Sequence, residues 1–137
     1  MGKVQILAVL TIDGCLSSEL YCKAYKELRL EDCGINEIRG NALYHITPDY
    51  SISMLDEWRK STTDICYLAE ATPEKADYIN GLLRMRVVDE IILYTIPFIA
   101  GTGKRFFQSV LPQEQWTLTS QKAYRNGVVR HIYKACI

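Results

Sequence analysis

The chain has 137 residues, 48% of them hydrophobic and 23% charged. That is enough for one domain with its own core, and a single domain over 1–137 is expected. Sixteen Lys and Arg balance sixteen Asp and Glu, so nothing in the composition draws the chain to nucleic acid or to an anionic membrane, and self-association is unopposed by charge.

Five cysteines stand at 15, 22, 33, 66 and 136. The number is odd and no C-x-x-C occurs, so neither a disulfide framework nor a metal site is indicated. Reduced thiols in a cytoplasmic protein are the expectation. The apolar run near the N-terminus is too short for a secretory signal, and Ile6 stands where a myristoylation pattern needs Ser or Thr. No run approaches the ~20 apolar residues of a membrane helix.

Residues 4–10, VQILAVL, are almost continuously apolar and too short for a helix, which predicts a strand buried on both faces. Asp13-Gly14 turns the chain. Ser17 or Ser18 then caps a helix over 17–30, with Leu20, Ala24 and Leu28 along one face. The next stretch is hard to read: CGINEIRGN is turn-rich, ALYHI suits a short strand, and TPDYS breaks it. SMLDEWRK predicts a short helix with Ser53 as cap and Leu55 and Trp58 inward.

DICYLAE, 64–70, predicts a second buried strand. Thr72-Pro73-Glu74 has the chemistry of a helix start, with Thr72 as N-cap and Pro73 at the first helical position. Ala76, Ile79, Leu82 and Leu83 form the inner stripe, with Met85 and Val87 near the end. DEIILYTI, 89–96, is the third buried strand. After the turn Gly101-Thr102-Gly103 comes a C-terminal β-hairpin around Arg125-Asn126-Gly127. Buried strands separated by helices predict an α/β fold with helices packed on a parallel or mixed sheet.

The glycine turn fails both common phosphate-loop patterns. A P-loop would need Gly at Phe98 and Ser or Thr at Arg105, and a dinucleotide fingerprint would need Gly at Phe106. Taken alone, Gly101 and Gly103 permit positive φ beside a proline-bent strand, and Phe106 or Phe107 is expected in the core. Asp13, at the mouth of the sheet, reads equally as a functional carboxylate or as a plain turn residue with Gly14; Glu19 is close enough in sequence to share a pocket with it. His131 reads as a surface or edge residue, and His45 has no visible partner. The nine tyrosines read mainly as packing.

The stretch VVDEIILYTIPFIAGTGKRFF resembles a signature of the dihydrofolate-reductase-like superfamily, through Val88-Asp89-Glu90, Pro97, Gly101, Gly103 and Phe107. The branch it is most similar to is the C-terminal reductase domain of bacterial riboflavin biosynthesis. AVLTIDG, 8–14, resembles that branch's first strand and turn, and LTSQKAYRNGVVRHIYK resembles its closing hairpin. The resemblance implies a three-layer α/β/α fold on a mixed, mostly parallel sheet. It also implies an NADPH-dependent reductase, of the (phosphoribosylamino)uracil reductase or dihydrofolate reductase type, acting on a pyrimidine- or pterin-like ligand, and a homodimer. Asp13, from its place at the mouth of the sheet, is the catalytic candidate, and Thr72, Lys75, Gly101 and Gly103 are the cofactor-binding candidates. The family's glycine pair at the start of the helix is replaced here by Thr72-Pro73-Glu74-Lys75. Pro73 removes a donor and Glu74 brings a like charge, so weak NADPH binding is expected, with a non-catalytic relative that keeps the fold as the alternative.

Overall fold

The computed structural model describes residues 2–17, 23–61, 63–108 and 111–136. Six strands form one sheet: β1 (Lys3–Leu10), β2 (Tyr44–His45), β3 (Cys66–Ala71), β4 (Glu90–Thr95), β5 (Trp116–Ala123) and β6 (Val129–Ala135). Their spatial order is β2-β3-β1-β4-β6-β5. The first four run parallel; β6 is antiparallel to β4 and β5 to β6. β1 is central, with Ile6 opposite Ala69 on one side and Ile91 on the other.

The α-helices are α1 (Lys23–Glu27), α2 (Ile35–Asn41), α3 (Ile52–Ser61) and α4 (Ala76–Arg84), with a 3-10 turn at Leu30–Cys33. Side-chain alternation along the strands divides the core. Val4, Ile6 and Ala8 face one side with Tyr67, Ala69 and Ile91, packed against Leu55 of α3 and Ala76, Ile79 and Leu82 of α4. Leu7 and Val9 face the other side with Leu68, Ile92 and Tyr94, packed against Tyr25, Leu30 and Ile35. A strand with apolar residues on both faces requires a layer on each, which gives the three layers.

The Val-Asp-Glu signature works at the end of the sheet where the parallel strands begin. Asp89 accepts the Val4 amide at 2.9 Å through one carboxylate oxygen and the Arg59 guanidinium at 2.8 Å through the other. Arg59 also bonds Asp56 at 2.6 Å. Glu90 accepts the Gln5 amide at 2.6 Å. These contacts tie β1, β4 and α3 together, far along the strands from their C-terminal ends.

Several sequence expectations are corrected. The helix expected over 17–30 is seen only at Lys23–Glu27 among the described residues; Ser18 and Leu20 lie outside them. Arg29 has φ 50, and the chain leaves the helix there. The turn-rich CGINEIRGN contains α2, because Ile35 is buried and Ile38 packs beside it on the sheet, which outweighs the poor helix propensity of Gly40 and Asn41. The cap of α3 is Ser51, whose hydroxyl accepts the Met54 amide at 3.2 Å, and not Ser53. Met85 is exposed, so the inner stripe of α4 passes from Leu83 to Val87. His131 lies on β6, an inner strand, and is half-buried, because β5 and not β6 forms the sheet edge.

Asn80 is fully buried on the inner stripe of α4. Its amide nitrogen donates to the Ala76 carbonyl at 2.8 Å and the Phe106 carbonyl at 2.7 Å, while its oxygen accepts the Gln108 amide at 3.2 Å. The side chain therefore pins the 106–108 segment to the helix. Asn80→Ala leaves Phe106 and Gln108 backbone groups without this partner, and is expected to lower stability by about 2–4 kcal/mol in equilibrium urea unfolding.

Candidate functional site at the C-terminal ends of the parallel strands

In open parallel sheets, ligands bind beyond the C-terminal ends of the strands, where connecting loops leave a crevice. Three segments meet there: the turn after β1, the start of α4 after β3, and the glycine loop after β4. The turn after β1 is closed by the Gly14 amide on the Thr11 carbonyl at 3.0 Å and the Cys15 amide on the Thr11 hydroxyl at 3.1 Å. The loop after β4 lies over it. Ile12 donates to the Phe98 carbonyl at 2.9 Å, Leu16 to Lys104 at 2.8 Å, and Phe106 to the Gly14 carbonyl at 3.3 Å.

Asp13 joins the two. Its carboxylate accepts the Ala100 amide at 3.2 Å on one oxygen and the Gly101 amide at 3.0 Å on the other, and it also accepts the Thr11 hydroxyl. Arg105 donates to the Asp13 carbonyl at 2.8 Å. The Thr11 hydroxyl, then the Ala100 and Gly101 amides, hold the Asp13 carboxyl down to about 2. An anion thus does lie on amides of the glycine loop, and it is the protein's own carboxylate. Gly101 has φ 79 and Gly103 φ 143, conformations that side chains rarely adopt. They let the chain return so that Phe106 is fully buried while Phe107 stays about half exposed.

The start of α4 differs from the expected cap. Thr72 to Lys75 form a single turn closed by the Lys75 amide on the Thr72 carbonyl at 3.0 Å, and the helix begins at Ala76 with no side-chain cap. Pro73 occupies the second position of this turn, which suits its fixed φ. The Thr72 hydroxyl is buried and has no hydrogen-bond partner among the described residues. Asp77 in the first turn of α4 pairs with Lys104 at 3.4 Å and accepts the Gln108 side-chain amide at 3.1 Å, and these two contacts lower its carboxyl below the usual range.

Asp13 and Gly101 are therefore joined by a hydrogen bond, and Gly103 passes close to Cys15 of the same turn. Thr72 and Lys75 stand on the neighbouring helix start, which Lys104 and Asn80 connect to the glycine loop. Glu19 lies outside the described residues. His45 sits exposed on β2, opposite Leu68. Sequence reasoning missed Thr11, Asp77, Asn80 and Arg105; of these, Asn80 carried a signal, as a polar residue inside the apolar stripe Ala76-Ile79-Leu83.

A recess of about 200 Å³ lies on the face of the sheet that carries Leu7 and Val9, and is lined by Tyr25, Leu30, Glu31, Ile35, Asn36 and Arg39. Arg39 bonds Glu70, near the end of β3, at 2.9 Å, and the Tyr25 hydroxyl at 3.1 Å. Among the described residues, no group of three or more His, Cys, Asp or Glu gathers where it could hold a metal ion.

This topology, with a glycine loop folded over the first turn of the sheet, is the fold of dihydrofolate reductase and of the RibD reductase domain. Within it, residues 76–130 match the family model of the RibD C-terminal domain. The fold is shared with a protein named for riboflavin biosynthesis from Shewanella sp. PV-4, at TM-score 0.63 and 8% identity over 98% of this chain and 99% of that one. It is shared with Acinetobacter baumannii RibD, at TM-score 0.59 and 13% identity over 100% of this chain and 59% of that one. The chain thus spans little more than half of that RibD. Dihydrofolate reductase from Enterococcus faecalis, complexed with NADP(H), aligns at TM-score 0.59 and 10% identity over 98% of this chain and 97% of that one. No curated protein matches the sequence significantly.

Because the Asp13 carboxyl titrates below its ordinary 3.8, its contribution is complete above that value and is lost as pH falls through about 2. Asp13→Ala is expected to speed amide hydrogen exchange at Ala100 and Gly101 by about an order of magnitude at neutral pH, read by NMR, with β1 and β4 unaffected. Unchanged exchange at both amides would show that the carboxylate does not hold the loop.

Proposed function

We propose that the chain is an NADPH-dependent reductase of the RibD and dihydrofolate reductase class, acting on a pyrimidine- or pterin-like heterocycle and holding its cofactor weakly. The carrying observation is the Thr72 hydroxyl, buried at the start of α4 and without a hydrogen-bond partner among the described residues. A buried hydroxyl left unpaired is costly, and a phosphate oxygen at a helix N-terminus would satisfy it. Thr72, the first-turn amides of α4 and the Lys75 ammonium would hold a cofactor phosphate. Pro73 offers no amide, and Glu74 and Asp77 place two carboxylates beside the same turn, which opposes a dianionic pyrophosphate. When bound, NADPH supplies the hydride.

The remaining chemistry falls to the chain itself. The recess beside Arg39, Asn36 and Glu31 offers both donors and acceptors for the edges of a heterocycle. Asp13 is ionised at neutral pH and accepts hydrogen bonds on both oxygens. Its role in this reading is to position the glycine loop, and protons for the substrate come from another group. A second reading, a domain that keeps the fold without catalysis, is favoured by that same occupation of the Ala100 and Gly101 amides.

We further propose a cytoplasmic homodimer. Cys15, Cys33, Cys66 and Cys136 are free thiols, and no helix among the described residues is long and apolar enough to cross a membrane. Leu118 of β5 is 46% exposed beside the half-buried Tyr133 of β6, an apolar pair available for self-association. Sedimentation equilibrium at micromolar concentration is expected to give twice the chain mass.

NADPH titration followed by intrinsic fluorescence tests the reductase reading. Thr72→Val is expected to raise the melting temperature by a few degrees, since it removes the unpaired hydroxyl, and to weaken NADPH binding about tenfold. Glu74→Gln is expected to tighten binding by about two- to fivefold. No NADPH binding by the parent at millimolar concentration would establish the non-catalytic reading instead.

A further inference from the structure

Lys122 of β5 and Arg130 of β6 stand directly opposite one another in the antiparallel hairpin. Arg130 is in turn opposite Tyr94 of β4, which is buried on the Leu7 and Val9 face of the sheet, so both cations project on that face. Side chains paired in this way begin about 5 Å apart, and like charges so placed repel. Neither cation makes an ion pair among the described residues. The Arg130 Nε is buried and has no hydrogen-bond partner among them. A guanidinium withdrawn from water without a counter-charge is uncommon and costly.

Both head groups lie beside Tyr124. The Lys122 Nζ is 5.1 Å from the centre of its ring. The Arg130 Nη1 and the Tyr124 hydroxyl come together at Gly34, 3.7 Å and 3.8 Å from where a Cβ would stand, and glycine leaves that space without a side chain. The neighbouring phenols do not supply the missing negative charge. Burial pushes the Tyr94 hydroxyl up to about 12, and pushes that of Tyr124 above its usual range against the pull of Arg130. Both are uncharged at neutral pH, and the Tyr94 hydroxyl donates to the Cys33 carbonyl at 2.7 Å. Nor do the local carboxylates supply it. Glu37 of α2 acts on Tyr124 but pairs with neither cation among the described residues, and Glu31 and Asp32 are held by Arg29 at 3.3 and 3.4 Å.

We propose that Arg130, Lys122 and the Tyr124 hydroxyl form a binding site for an oxyanion of the phosphate class. The Arg130 fork offers Nε and an Nη to two oxygens of a tetrahedral anion, Lys122 adds a point charge, and Tyr124 adds a neutral donor. An oxyanion there satisfies the buried Nε and also relieves the repulsion between the two cations, whereas a water molecule satisfies only the first. The site shares no residue with the glycine loop, the start of α4 or the recess beside Arg39, so it stands independently of the reductase reading.

The Nε–Hε resonance of Arg130 reads the orphaned group directly in NMR of the labelled protein, and through-bond correlation to its backbone assigns it without any variant. Inorganic phosphate is titrated at constant ionic strength, with chloride as the control anion. Phosphate is expected to shift that resonance saturably, with half-saturation at about millimolar concentration, and chloride to leave it in place. Lys122 is exposed, so Lys122→Gln keeps the fold, and it is expected to weaken phosphate about three- to fivefold. No saturable shift, an equal shift with chloride, or unchanged phosphate affinity in Lys122→Gln would overturn the site and leave the Arg130 Nε to solvent.

Discussion

Both edges of β1 are hydrogen-bonded to parallel neighbours and both of its faces are buried, and the remaining architecture follows from that. A strand buried in this way needs apolar side chains at successive positions and a helical layer on each side. Its N-terminal end is held by the Asp89 carboxylate on the Val4 amide, which in turn binds Arg59 of α3. Its C-terminal end delivers Thr11 and Asp13 to the place where the crossover loops converge. The same strand therefore sets the core and aims the site.

At that convergence, charge matters more than shape. A glycine loop and a helix start are both places where free amides invite an anion. In this chain the loop amides of Ala100 and Gly101 already hold a carboxylate, and the first turn of α4 carries its own acid, paired with Lys104. The loop is thereby tied to the turn after β1 and to α4 at once. What the arrangement leaves open is the Thr72 hydroxyl, buried beside this turn with no hydrogen-bond partner among the described residues.

The fold was largely legible. The segments at 4–10, 64–70 and 89–96 became β1, β3 and β4, side by side, because successive apolar residues on a strand call for burial on both faces. The Arg125-Asn126-Gly127 turn gave its hairpin, with Gly127 at φ 92 packed so close to Pro97 that a Cβ there would lie 3.1 Å from the ring. What misled was local chemistry that burial overruled. α2 forms from a turn-like stretch because Ile35 has a place in the core. Thr72 has the residue type of a cap, yet its hydroxyl makes no hydrogen bond to the amides it was expected to satisfy.

The sequence by itself determined the strands, the inner stripe of α4, the positive φ at Gly101 and Gly103, and the resemblance that names the class. These are consequences of residue type and spacing along one segment, and neighbours in sequence suffice to specify them. Which groups satisfy one another was decided only by the tertiary structure. The bond from Gly101 to Asp13 spans 88 positions, that from Val4 to Asp89 spans 85, and the pairing of Tyr44 with Tyr67 joins two strands that a helix separates. Such partners are chosen by the register of the sheet and the path of the crossovers, because a carboxylate or a ring can act only on what folding brings within a few ångströms of it.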